Sequence, residues 1–138
     1  MTGSTAGAYI SYTREDMSYA EGVSRTLERA GIPVWIDKES LKPGVDWYSK
    51  NQEALTNARV LVAIVSAASN SLQWTFFEIG YAMAAGTPVI LVLLAEVASL
   101  PINLSKVQVV DAQGLDETST AEVVAAAVKE ILGRQNDS

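Results

Sequence analysis

A chain of 138 residues, 49% hydrophobic and 19% charged, holds enough apolar material for one domain with a sizeable core. Its net charge of −6, spread without long acidic or basic runs, argues against a nucleic-acid surface, which needs clustered Lys and Arg. The absence of cysteine and histidine excludes disulfides, thiolate nucleophiles, Ser-His-Asp triads and His- or Cys-based metal sites, and leaves any catalysis to carboxylates, hydroxyls, Lys, Arg or backbone groups.

Residues 1–7 have neither the basic start nor the apolar core of a signal peptide and read as a flexible N-terminus. Ala8-Tyr9-Ile10-Ser11-Tyr12 predicts a first strand, followed by a polar loop that ends in Asp16, a good N-cap. Met17, Ala20, Val23, Leu27 and Ala30 then recur at helical spacing, closing at Gly31. Pro33 to Asp37 predicts a second strand, which Pro33 opens without losing a ladder bond. Lys38 to Val45 is a loop with a Pro43-Gly44 turn signal, and Asp46 is placed to cap a helix from Trp47 to Asn57. Val60 to Val65 is a continuous β-branched run, as expected of a strand covered on both faces.

Ser71 to Gly86 predicts a helix, capped by Asn70 or Ser71 and stopped by Gly86 and Pro88. Helical periodicity puts Trp74, Glu78, Tyr81 and Ala85 on one face and Phe76, Ile79 and Met83 on the opposite, sheet-facing one. Glu78 is thus a carboxylate one turn after a tryptophan in a mostly apolar helix. It is either a rim residue in water or a perturbed group of the kind that marks functional sites.

Val89 to Leu94 predicts a buried strand, Ala95 to Ser105 a loop, and Val107 to Asp111 an edge strand. A capping box over Ser119 to Glu122 opens a last helix carrying Val124, Ala127, Val128, Ile131 and Leu132. The domain is expected over residues 8–133. Residues 134–138 read as a polar tail, suited to a linker toward a partner domain. The uncharged stretch from Ile79 to Ala95 is short for a membrane span and is broken by Gly86-Thr87-Pro88, so the chain reads as soluble and cytoplasmic, with no membrane partner.

Strands alternating with helices predict an α/β fold, a flavodoxin-like three-layer sandwich whose five-stranded parallel sheet carries helices on both faces; spacing does not give the strand order, and 2-1-3-4-5 is expected as the commonest for five strands. Ligands in such sheets sit beyond the carboxyl ends of the strands, the rim that carries Ser11 to Asp16, Asp37 to Val45 and Ser66 to Trp74. A phosphoreceiver needs an acidic pair after the first strand and an acceptor Asp after the third, where this chain has Ser11-Tyr12 and Ser66. Tyr12-Thr13-Arg14-Glu15 lacks the glycines of a phosphate-cradling loop or a dinucleotide fingerprint.

The Tyr9-Ile10-Ser11-Tyr12 box with its polar loop and Asp16, the Asp37-to-Gly44 segment with Leu41-Lys42-Pro43-Gly44, and the Trp74-x-x-x-Glu78 helix together make the chain resemble a TIR domain of the bacterial NAD-cleaving kind, from about Ala8 to Leu132. The resemblance implies cleavage of NAD⁺, as substrate rather than cofactor, to nicotinamide and a linear or cyclised ADP-ribose, with Glu78 as the catalytic carboxylate. It implies no cofactor and no metal.

By the same resemblance Tyr9 and Ser11 contact the nicotinamide riboside part, although Tyr9 equally suits plain strand packing. Arg14 meets the pyrophosphate or is a solvated loop residue, and Asp37 bonds ribose or caps its loop. Trp47 and Trp74 wall the site or belong to the core. Lys38, Leu41, Lys42, Pro43 and Gly44 would form the family's BB loop, through which subunits associate head to tail into filaments that complete one another's sites. The resemblance also implies a fused or partner sensor domain and an antiphage setting.

Two alternatives stand beside this reading. Glu78-Ile79-Gly80-Tyr81-Ala82 is similar to the Glu-x-Gly-x-Ala stretch of nucleoside deoxyribosyltransferases, in which Gly80 would allow close approach of a neighbouring element or simply be tolerated. The other is a non-catalytic TIR adaptor.

Overall fold

The structure, a computed structural model, describes residues 7–36, 54–66, 72–95 and 107–136. The strands are β1 (Ala8–Ser11), β2 (Val34–Ile36), β3 (Val60–Val65), β4 (Val89–Leu93) and β5 (Gln108–Asp111). The helices are α1 (Met17–Arg29), α2 (Leu72–Ala84) and α3 (Glu117–Asn136), with a 3-10 turn over Arg14–Asp16 and helical residues at 54–57. All strand pairings are parallel, in the expected order β2-β1-β3-β4-β5. The expected flexible N-terminus falls mainly on residues 1–6, which lie outside the described residues, as does most of the helix expected from Trp47.

Period-two alternation along the buried strands sorts their side chains into two cores. Ala8, Ile10, Val60, Val62, Ile64, Ile90, Val92 and Val110 face α1 and α3. Tyr9, Leu61, Ala63, Val65, Val89 and Leu91 face the other way, against Leu55, Ala58 and the Ile79 and Ala82 of α2. The helices therefore lie on both sides of the sheet. β3 is buried at all six positions, whereas β5 leaves Val109 39% exposed, as an edge strand does. Among the described residues no helix is long and apolar enough to cross a membrane.

Two glycines end helices as expected, and each does so through a positive φ that side-chain-bearing residues rarely adopt. At Gly31 (φ 81°) the N–H of Ile32 reaches Leu27 O and that of Gly31 reaches Glu28 O. At Gly86 (φ 79°) the N–H of Thr87 reaches Ala82 O and that of Gly86 reaches Met83 O. Both are Schellman closures, and both return the chain directly toward a strand.

The last helix departs from expectation at both ends. It starts at Glu117, because Asp116 accepts the Ser119 N–H at 2.7 Å and so acts as the cap. Ser119 is already inside the first turn, and the expected box over Ser119 to Glu122 does not operate. The helix also continues past Gly133 to Asn136, where a polar tail was expected. The extra turn is fastened to the start of β3: Arg59 Nε donates to Gln135 Oε1 and Gln135 Nε2 donates to Arg59 O, both at 2.9 Å.

Candidate active site

Tyr9 and Ser11 are two residues apart on β1, so their side chains leave the same face of the sheet, the face that α2 covers. Tyr9 is fully buried and Ser11 is 3% exposed. Next to Ser11 the register puts Ala63, whose methyl adds little bulk, and next to Tyr9 it puts Leu61 and Trp35. α2 crosses this face with Ile79 and Ala82 fully buried.

Glu78 lies beside Ile79 on that inward side and is 1% exposed. Neither the expected opposition of Glu78 to Ile79 nor a water-facing rim carboxylate is found. Adjacent positions 78 and 79 both reach the sheet because the helix presents a broad apolar arc, while Phe77, at 43% exposure, and Gly80 face outward. An added Cβ at Gly80 would meet nothing within 4 Å, so Gly80 is tolerated there rather than required by a close approach.

The Glu78 carboxylate accepts two hydroxyls from β1. Tyr9 Oη donates to Oε2 at 2.6 Å and Ser11 Oγ donates to Oε1 at 2.5 Å. A carboxylate this deeply buried is costly unless hydrogen-bonded, and these donors offset that cost while leaving it an acceptor-only group in a low-dielectric setting. Such a group is suited to stabilising positive charge that develops next to it.

A second buried carboxylate lies at the same strand ends. Asp16, 6% exposed, occupies the N-cap position of α1 as expected, but its side chain makes no cap bond. Its Oδ2 instead accepts Thr13 Oγ1 at 3.1 Å and Ser66 Oγ at 2.7 Å, joining the exit of β1 to the exit of β3. Sequence reasoning placed Asp16 as a cap and Ser66 in a small-residue loop, and missed their bond. The i, i+3 spacing of Thr13 and Asp16 was the one available signal.

The predicted site residues thus divide. Tyr9, Ser11 and Glu78 are brought together from positions 67 and 69 residues apart. Arg14 lies in the turn after β1 and Trp74 one helical turn before Glu78, but their side chains are outside the described residues, as are Asp37, Lys38, Leu41, Lys42, Pro43, Gly44 and Trp47. Among the described residues no group of three or more His, Cys, Asp or Glu is placed to hold a metal ion.

A parallel 2-1-3-4-5 sheet with a hydroxyl-bonded carboxylate tucked between its first strand and a covering helix defines an α/β domain of a specific kind. The profile of the TIR domain family matches residues 9–126, most of the chain, and the chain belongs to that family. No curated protein matches the sequence significantly.

Among solved structures, a TIR-STING receptor from C. gigas in complex with 2′,3′-cGAMP superposes with a TM-score of 0.69 at 21% identity, over 89% of this chain and 39% of that one. The TIR domain heterodimer of RPS4 and RRS1 gives 0.65 at 18% identity, over 90% and 96%. A 2-deoxyribosyltransferase from Bacillus psychrosaccharolyticus gives 0.63 at 18% identity, over 88% and 94%. At these identities the likeness is one of fold. The chain spans 39% of the length of the TIR-STING receptor.

Proposed function

We propose that this TIR domain cleaves the nicotinamide–ribose bond of NAD⁺, with Glu78 as the catalytic carboxylate, and that self-association switches the activity on. The observation that carries this reading is the buried, doubly hydroxyl-bonded Glu78 at the strand ends. Breaking the bond releases nicotinamide as a neutral group and leaves an oxocarbenium-like ribosyl centre. No general acid is needed at the leaving group, which suits a chain without histidine. One carboxylate beside the ribose supplies what the step requires, a fixed negative charge facing a developing positive one. Water then attacks C1′, giving ADP-ribose and a proton; attack by a nucleophile within the same molecule gives a cyclised product instead.

Self-association enters for a physical reason. A substrate reaches a carboxylate that is 1% exposed only when its cover opens. Subunit contacts that differ between free and assembled states can supply that opening. Head-to-tail contacts are heterologous and grow into filaments, and the expected BB loop, Lys38 to Gly44, is the segment we assign to them. The family's heterodimeric neighbour is consistent with contacts between such domains. The cellular role that follows is that of a cytoplasmic effector in antiphage defence, working with a sensor domain.

A second reading is favoured by one observation. The 2-deoxyribosyltransferase shares the fold over 94% of its own length, and this chain carries Glu78-x-Gly80-x-Ala82. In that case the same carboxylate would act on the N-glycosidic bond of a nucleoside.

The test is NAD⁺ turnover with product identification for wild type and Glu78→Ala, in dilute and in crowded protein, with nucleosides as parallel substrates. We expect turnover that rises with concentration and falls about 10²- to 10³-fold in the variant. Nucleoside cleavage without NAD⁺ cleavage would favour the second reading. Defined oligomers with no turnover on either substrate would make the domain an adaptor.

A further inference from the structure

Glu78 does not hold its position by itself: we infer that Tyr9 and Ser11 are positioning residues that act on the reaction only through Glu78, fixing the orientation of its carboxylate, rather than residues that bind substrate. The inference rests on the functional reading above for its catalytic consequence, but not for its geometry.

Three features of the site lead to it. Both hydroxyls donate to the carboxylate, one to each oxygen, at 2.6 and 2.5 Å. Two donors on separate oxygens fix the plane of the carboxylate as well as its place, which a single bond would not do. Both side chains are buried, Tyr9 fully and Ser11 to 3% exposure, and both aim their hydroxyls at Glu78. Finally, both donors stand on β1, a strand paired on each side and buried at all four positions. The clamp is therefore anchored in a buried interior strand of the sheet, whereas Glu78 comes from a covering helix.

The phenol of Tyr9 needs explaining in any case. Phenylalanine would fill the same space in the core beside Leu61 and Ile79 without the cost of burying a hydroxyl. Its bond to Glu78 offsets that cost, so the site carries a polar atom that holds another. Its loss should show as misplacement of the carboxylate, which is a defect in the chemical step and not in substrate capture.

The experiment compares wild type, Tyr9→Phe, Ser11→Ala and Ser11→Thr under assembling conditions, reading kcat and KM for NAD⁺ separately, with circular dichroism to establish that each variant is folded. Positioning predicts that Tyr9→Phe and Ser11→Ala each lower kcat about ten- to a hundredfold with KM within about twofold, and that Ser11→Thr, which keeps the hydroxyl, recovers most of the loss. A raised KM at unchanged kcat would make these residues substrate ligands and overturn the inference, as would kinetics identical to wild type.

A second measurement stands even if the protein cleaves no NAD⁺, and so separates failure of the clamp from failure of the functional reading. In a thermal-stability cycle, Tyr9→Phe should lower the melting temperature when Glu78 is present, and should leave it unchanged or raise it in a Glu78→Met background, where the phenol has lost that acceptor. Equal effects in the two backgrounds would show that Tyr9 and Glu78 are not coupled, and would sink the proposal.

Discussion

Ser66 Oγ donates to Asp16 Oδ2 across 2.7 Å, so the residue that follows β3 is tied to the residue that precedes α1. Thr13 adds a longer bond, 3.1 Å, to the same oxygen. The pair bridges the exits of the neighbouring strands β1 and β3, the first of which carries Tyr9 and Ser11. Ser66→Ala withdraws one donor from a buried carboxylate, and the expected cost is about 1–3 kcal/mol. Urea unfolding should show this as a lower midpoint at an unchanged m-value. A midpoint equal to that of wild type would mean that the bridge contributes nothing to stability.

Gly80 faces outward in the middle of α2, with open space where a Cβ would stand and no positive φ. Gly80→Ala should therefore stabilise the domain by about 0.5–1 kcal/mol, because alanine has less backbone freedom to lose on folding. Thermal denaturation of dilute protein reads this directly. A destabilised variant would show that something packs against that face.

The cap of α3 has a pH signature. The Asp116 carboxyl is held below its ordinary value of 3.8, first by the backbone N–H of Ser119 and then by the Ser119 side chain. A carboxyl with a lowered native pKa stabilises the fold fully above its unfolded value, and the stabilisation is lost as pH falls through the native value. Asp116→Ala should accordingly lower the melting temperature at neutral pH, and the gap from wild type should close as the pH drops below 3.8. Melting curves from neutral pH to strongly acidic buffer give the comparison. A gap that stays constant with pH would assign the effect to something other than the carboxylate.

The strands were legible because the signals that define them are local. Val60 to Val65 and Val89 to Leu93 are unbroken β-branched and aliphatic runs, and a strand buried on both faces needs nothing else. Gly31 and Gly86 were legible as stops because few residues other than glycine take the backbone angle that turns the chain there. The alternation of strands and helices indicated a parallel sheet, its order 2-1-3-4-5 was expected only as the commonest for five strands, and the TIR resemblance rested on boxes within single segments.

Where two local signals compete, sequence alone does not decide. Asp116 and Ser119 are both good caps, and the helix took the earlier one. Gly133 looked like an end, yet the helix runs on to Asn136, where Gln135 finds both a donor and an acceptor on Arg59, 76 residues away along the chain.

The amino-acid sequence by itself determined the class of fold and the family, and singled out Glu78 as a candidate, because each rests on residue type and spacing along the chain. Only the tertiary structure decided which way Glu78 points. Helical periodicity gives the angles between side chains on α2 but not the rotation of the helix against the sheet, which is set by how Ile79 and Ala82 pack. That rotation makes Glu78, which its position on the helix left open between rim and site, a buried carboxylate, and it is affordable only because two hydroxyls on a distant strand are already in place to receive it.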